Sequence, residues 1–279
     1  MFRRLSARHS PPQGTAFPFF LPHRPGANSY RVPPVSPGEA AANSGQPVPP
    51  RDQWIAPKKY GTTVEEYLNN GRSDTQQMID LVADCGILVE TLGHIYEFGC
   101  ADGRMLRWLA PLSAEREVWG SDIDASRILW CKQNLSPPLR FFTNTVVPHL
   151  PFEDRKFGFV FAGSVFSHID DLADAWLAEL HRIIKPGGVL FITVHLKEDI
   201  DLLATRYADS WLARKLRAEP DYDSLRAGDF DVFTVGRSNS SFVFYDLDFL
   251  RKSIEPMFRI RSLTREVRLY QNALVLERA

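Results

Sequence analysis

Residues 97–104 read EFGCADGR, which places two glycines, an alanine and an acid directly after a short apolar run. The preceding HIYEF has the aromatic and β-branched make-up of a buried strand, and the MLRWLA that follows has helical spacing. A strand, a tight turn and a helix in that order aim backbone N–H groups at a helix N-terminus, where the carboxylate, ribose or phosphate of a nucleotide-like ligand can be held. Two other residues titrate near neutral pH and could take a proton, His168 after SVFS and His195 after FITV. Each follows an apolar strand-like run, which predicts that both face one rim of a sheet as candidate catalytic bases. The plainer roles are a helix cap for His168 and an anchor for the following segment for His195. A metal site at the pair would need a third ligand such as Asp170, and nothing in the spacing demands one.

The segments around this turn alternate. Strand-like runs HIYEF, EVWGS, LRFFT, GFVFAGS and GVLFITV are separated by helical stretches beginning at Asp102, Ser126 and Asp171. Such alternation predicts parallel strands with crossover helices, and right-handed crossovers put the ligand crevice at the carboxyl ends of the strands, where their order reverses. Before the first strand, TVEEYLNN and SDTQQMIDLVADCG read as two helices, with Ser73 or Asp74 capping the second and Gly86 ending it. After His195 a charged helical stretch leads to DFDVFTVGRSNSSFVFY, two strands around a Gly-Arg-Ser-Asn turn, then to a helix and the closing strands FRIRSLT and NALVLER.

Composition sets outer limits. The 279 residues are 44% apolar with a net charge of −1, so no basic field attracts nucleic acid, and one sizeable α/β core is expected. Cys85, Cys100 and Cys131 are an odd number at wide spacing without a CxxC pair, which argues for a reducing, cytoplasmic setting and against zinc. No apolar run approaches the roughly 20 residues of a membrane helix. Residues 1–50 carry eleven of the twenty prolines, five arginines and the single acid Glu39, and read as a proline-rich disordered leader. Residues 51–92 are expected to form a helical segment docked on the core, through Trp54, Tyr60 and Tyr67.

The ligand follows from the glycine count. A dinucleotide turn needs G-x-G-x-x-G, and from Gly99 the chain offers glycine, Ala101 and Arg104. Counted as G-x-G-x-G, with Gly99, Ala101 and Gly103 preceded by Glu97, the segment resembles the first motif of class I S-adenosylmethionine-dependent methyltransferases. The resemblance continues through Asp122 in WGSDID and through LPFEDRKFGFVFAGSVFSHIDDLADAWLAELHRIIKPGGVLFITVH, covering roughly residues 92–196. Two positions depart from the family pattern. Ala101 replaces the middle glycine, which a negative φ would accommodate, and Gly158 replaces an Asp.

The resemblance implies a Rossmann-like, doubly wound α/β fold with a seven-stranded sheet, mostly parallel with an antiparallel last strand, and helices on both faces. The domain would run over 93–279, with a lid insertion at about 197–245. It implies S-adenosyl-L-methionine as cofactor, with Glu97 orienting the turn and the methionyl amino group, and the backbone of Gly99, Cys100, Ala101 and Gly103 around the methionine moiety. Asp122 would take both ribose hydroxyls, Ile123 would lie on the adenine face, Asn144 or Thr145 would meet the adenine amino group, and Ser164 would sit near the transferable methyl. The expected reaction is O- or N-methylation of a small-molecule, sugar or lipid-linked acceptor. The alternative is an inactive module that binds the cofactor without turnover.

Overall fold

The computed structural model describes residues 39–40, 47–54, 63–227, 230–236 and 241–279. Most of the expected leader, Tyr60, and the Arg-Ser-Asn part of the predicted turn lie outside these residues. Eleven strands are described: β1 (Glu39–Ala40), β2 (Pro47–Val48), β3 (Ile95–Phe98), β4 (Val118–Asp122), β5 (Arg140–Thr143), β6 (Phe157–Ala162), β7 (Ile184–Leu196), β8 (Val232–Val235), β9 (Phe242–Tyr245), β10 (Phe258–Arg268) and β11 (Gln271–Arg278). The helices are α1 (Val64–Ala83), α2 (Ala125–Asn134), α3 (Ala173–Ile183), α4 (Asp199–Ala204), α5 (Trp211–Arg217), α6 (Tyr222–Ala227) and α7 (Leu247–Ile254).

The main sheet runs β10-β11-β7-β6-β3-β4-β5, with β9 on the end of β7 and β8 on β9. β3, β4, β5, β6 and β7 are parallel, and β11 is antiparallel to both neighbours. The order reverses between β3 and β6, so the crevice of an open α/β sheet opens at their carboxyl ends. This is the doubly wound α/β fold, with nine strands joined rather than seven because β8 and β9 add to it.

Strand alternation decides which residues meet which helices. Tyr96, Phe98, Val160, Leu190 and Ile192 face one side and pack with Trp176, Leu177 and Leu180 of α3 and Leu250 and Ile254 of α7. Ile95, Phe159, Phe161, Val189 and Phe191 face the other, against Met78 and Val82 of α1, Leu106 and Leu109, and Ile128 and Cys131 of α2. A parallel strand covered on both faces must be apolar at every position, which is why FGFVFA in β6 is buried throughout.

Two local expectations are corrected. The two predicted N-terminal helices are one, α1, whose N-cap Thr63 accepts from the Glu66 amide while Glu66 returns a bond to the Thr63 amide. Gly71 does not break it, because its missing side chain serves close packing: a Cβ there would lie 2.4 Å from the Arg104 carbonyl oxygen. The helix expected from Asp102 is a turn followed by a 3-10 helix over Leu106–Ala114, in which Pro111 removes one amide donor.

Gly158, the second departure from the family pattern, has a clear steric cause. A Cβ at this position would sit 1.3 Å from the Leu92 carbonyl oxygen, and the Gly158 amide donates to His94 O at 2.9 Å. Gly158→Ala must push two backbone segments apart and is expected to destabilise by about 2 kcal/mol. In a circular-dichroism melt that is a fall of roughly 4–8 °C in Tm; a Tm equal to the parent's would contradict this packing.

Candidate cofactor and acceptor site

The turn after β3 is held by its neighbour strand. The Gly99 and Cys100 amides both donate to Ser121 O, at 2.9 and 2.8 Å, and the Gly103 amide donates to Cys100 O at 2.8 Å. Gly99 and Gly103 have φ of +79° and +71°. Added Cβ atoms would lie 2.3 Å from Val165 Cγ2 and 2.7 Å from Leu135 Cδ1, so both glycines answer conformation and space together. Ala101 has φ +49°, which corrects the expectation of a negative angle: its methyl sits in the left-handed region, a strained position of the kind that gathers at functional sites. The Cys100 thiol is buried, and burial pushes its pKa well above the usual range, so it is not a nucleophile at neutral pH.

Asp122 ends β4 beside this turn. It accepts from the Ala101 amide through Oδ2 and from the Asp124 amide through Oδ1, each at 2.8 Å. Burial raises its carboxyl pKa, opposed by the Asp124 amide and by Arg127. Ile123 follows, half-buried. At the end of β5, Asn144 is buried; its Oδ1 accepts from Ser121 Oγ at 2.8 Å and its Nδ2 donates to Thr145 O at 2.9 Å. Thr145 is exposed, and its hydroxyl accepts from the Val147 amide. The structure therefore brings the glycine turn, Asp122, Ile123, Asn144 and Thr145 to adjacent strand ends.

Glu97 lies one residue inside β3, on the α1 face. It is 4% exposed, and its Oε2 has no hydrogen-bond partner among the described residues. Desolvation drives its pKa to about 8, against the pull of Arg104. A buried carboxyl with an unsatisfied oxygen beside a glycine turn fits the ammonium of an amino-acid moiety, which would supply the missing donor.

Beyond β6 the rim is built from distant pieces. Ser164 has φ +60°; its amide donates to Thr193 Oγ1 at 2.7 Å and its hydroxyl to Gln271 Oε1, also at 2.7 Å. Thr193 donates to the same Gln271 oxygen at 3.0 Å. His168 is half-buried, with Nδ1 2.6 Å from the Ser241 carbonyl oxygen and its ring edge-on to Phe242. The expected pairing of His168 with His195 on an open rim does not hold. His195 is 0% exposed, stacked on Phe244 and flanked by Phe242 and Tyr270, because β9 and the β10–β11 hairpin close over the end of β7.

Asp102, Arg104 and Gln271 were not expected as site residues. Tyr67, expected with Trp54 to dock the N-terminal segment, stacks on Trp54 and donates to Asp102 Oδ1 at 2.6 Å, and Arg104 pairs with Asp74 of α1 at 2.6 Å, so α1 is tied to the turn. Asp102 and Arg104 could have been flagged by adjacency to Gly103. Gln271 could not.

A glycine turn and an acid at the ends of neighbouring parallel strands, next to the reversal of strand order, define a Rossmann-like nucleotide-cofactor domain. Residues 96–192, about a third of the chain, match the family described as methyltransferase domain, in agreement with the resemblance to class I S-adenosylmethionine-dependent methyltransferases. A curated relative, the fatty-acid O-methyltransferase of Mycolicibacterium smegmatis, is 27% identical over 100 residues, 36% of either chain. The match thus spans about a third of that relative's length. Among solved structures, the PH0226 protein from Pyrococcus horikoshii OT3 is 18% identical with a TM-score of 0.58, covering 81% of this chain and 97% of that one. The magnesium protoporphyrin IX methyltransferase from Synechocystis PCC 6803, solved with bound S-adenosylhomocysteine, is 16% identical with a TM-score of 0.52, covering 82% and 94%. At these identities the structures establish the fold. No helix among the described residues is long and apolar enough to cross a membrane.

Proposed function

We propose that the protein transfers the methyl group of S-adenosylmethionine to an oxygen or nitrogen of a small-molecule, sugar or lipid-linked acceptor. The observation that carries this reading is the bond from the Ala101 amide to Asp122, which fixes the glycine turn against the acid where strand order reverses. When bound, the cofactor supplies an electrophilic methyl on a sulfonium. The chain's own task is alignment and exclusion of water. Glu97 receives the amino group, the backbone of Gly99, Cys100, Ala101 and Gly103 borders the methionine moiety, and Asp122 takes the ribose hydroxyls. Ile123, Asn144 and Thr145 surround the adenine, and Ser164 borders the methyl. His168 is the candidate base: a bond from Nδ1–H to the Ser241 carbonyl leaves the basic lone pair on Nε2. His195, sealed among aromatic rings, is assigned a packing role. The curated relative's fatty-acid activity keeps lipids among the acceptors, and the free cysteines support a reducing, cytoplasmic setting.

Calorimetric titration with S-adenosylmethionine and with NAD, followed by an acceptor library screened for S-adenosylhomocysteine release, tests this. Binding of S-adenosylmethionine alone, with release from one acceptor class, is expected. Binding of NAD in its place would overturn the reading, and cofactor binding without release from any acceptor would favour the inactive module.

A further inference from the structure

Arg107, in the 3-10 helix that follows the glycine turn, is a buried cation without a counter-ion. It is 3% exposed, and among the described residues no carboxylate pairs with it. Its donors go to backbone carbonyls instead. Nε donates to Gly103 O at 3.1 Å, Nη2 to Asp102 O at 3.4 Å, and Nη1 to Pro47 O at 2.6 Å. The rings of Tyr67 and Trp130 lie 5.6 and 5.8 Å from its Cζ. A buried guanidinium holds its place only while its donors are accepted. Two of these acceptors belong to the glycine turn, and the third comes from 60 positions upstream.

That upstream piece is a strap, Pro47–Trp54. Val48 and Trp54 are buried against Tyr67 and Leu68 of α1. Trp54 stacks on Tyr67 with ring centroids 4.8 Å apart, and its Nε1 donates to Pro49 O at 2.8 Å. Tyr67 carries the contact onward through its hydroxyl to Asp102 Oδ1. The strap therefore reaches Asp102 and Gly103 by two routes, through Arg107 and through Trp54 and Tyr67. Its own secondary structure is slight: a two-residue strand and one 3-10 turn, Arg51–Gln53. A segment held by so few contacts opens locally far more readily than the sheet does.

We propose that Arg107 is a positioning residue that couples docking of the Pro47–Trp54 strap to occupancy of the cofactor site. This rests on the methyl-transfer reading above, in which the backbone of Gly99, Cys100, Ala101 and Gly103 borders the methionine moiety, and adds a closing element to that site. A bound cofactor fixes the same stretch of backbone whose carbonyls Arg107 holds. A docked strap in turn keeps Arg107 and Tyr67 on that stretch. Each event stabilises the arrangement the other requires, and the coupling is equal in both directions.

Arg51 supplies the readout. It is exposed and sits over the Trp54 ring at 5.6 Å, so trypsin can cut after it only when the strap opens. The full chain is treated with trypsin with and without saturating S-adenosylhomocysteine, and the cut after Arg51 is followed by mass spectrometry. S-adenosylhomocysteine is expected to slow this cut at least tenfold. Trp54→Ala, which frees the strap without touching the turn, is expected to weaken S-adenosylhomocysteine by a similar factor in calorimetry. Arg107→Lys keeps the charge, but one ammonium cannot bridge Pro47 O and the turn carbonyls. It should bind S-adenosylhomocysteine more weakly and lose the protection of Arg51, with a thermal melt confirming that it is folded. Failure of S-adenosylhomocysteine to bind the parent protein would strike the methyl-transfer reading itself. If it binds, three results would each overturn the coupling alone: an unchanged rate of cutting at Arg51 in the parent, parental affinity in Trp54→Ala, or full protection of Arg51 in Arg107→Lys.

Discussion

Asp122→Ala lowers affinity for S-adenosylhomocysteine by about 100-fold or more while the protein stays folded. The carboxylate sits at the end of β4 with one bond to each oxygen, from Ala101 N and Asp124 N at 2.8 Å. An ionised carboxylate accepts at about four positions, so each oxygen keeps a lone pair for a ribose hydroxyl. Charge-assisted hydrogen bonds contribute about 1.5–3 kcal/mol each, and losing two removes at least about 3 kcal/mol of binding. The substitution also releases the Ala101 amide and loosens the turn, which adds to the loss. Asp122→Asn keeps the size and one acceptor, so it should fall between. Calorimetry beside a thermal melt separates binding from folding, and a folded Asp122→Ala that binds like the parent would remove Asp122 from the ribose site.

Cofactor affinity should also climb with pH up to about 8, through Glu97. Burial holds this carboxyl at about 8, against an ordinary 4.5. Because the folded value is raised, the folded state binds the extra proton between roughly pH 4.5 and 8, and the group's contribution to stability declines as pH rises through that window. An ammonium placed against Glu97 demands the ionised form, so binding below pH 8 expels a proton and strengthens by at most about tenfold per pH unit. Glu97→Gln should flatten that slope, weaken binding at pH 8 and raise Tm there, since no buried acid remains to ionise. Titrations in two buffers of different ionisation enthalpy count the proton directly. A parent protein releasing none at pH 7 would show that Glu97 does not meet the amino group.

How far the sequence predicted this site follows from how local each part is. Strands such as FGFVFA in β6 were readable because burial on both faces leaves an unbroken apolar run. The glycine turn and Asp122 could be read because each lies within a few residues of its own strand end. Helix details were less accessible. Two helices were expected, with Ser73 or Asp74 capping the second, because a sequence cannot show that the glycine between them, Gly71, lies inside one helix where the Arg104 carbonyl approaches. The φ of Ala101 is set by bonds to Ser121 and Asp122 on the neighbouring strand. His195 looked like a rim residue because the rings that seal it come from β9 and the closing hairpin, about fifty and seventy-five positions onward. Gln271 was invisible for the same reason.

The hairpin end at Tyr270, Gln271 and Asn272 has a consequence for the order of assembly. Gln271 reaches Ser164 across 107 positions and Thr193 across 78, while Asn272 donates to Asp199 across 73. Closing loops of that length is entropically expensive and cannot precede the contacts that stabilise them. A folding intermediate can therefore complete β3, β4 and the glycine turn from nearby pieces of chain, yet it still lacks the bonds that bend the backbone at Ser164. On the roles proposed above for the glycine turn and for Ser164, competence to hold a nucleotide and competence to present a methyl group arise at different moments in the life of the chain, the second only when its final strand has docked.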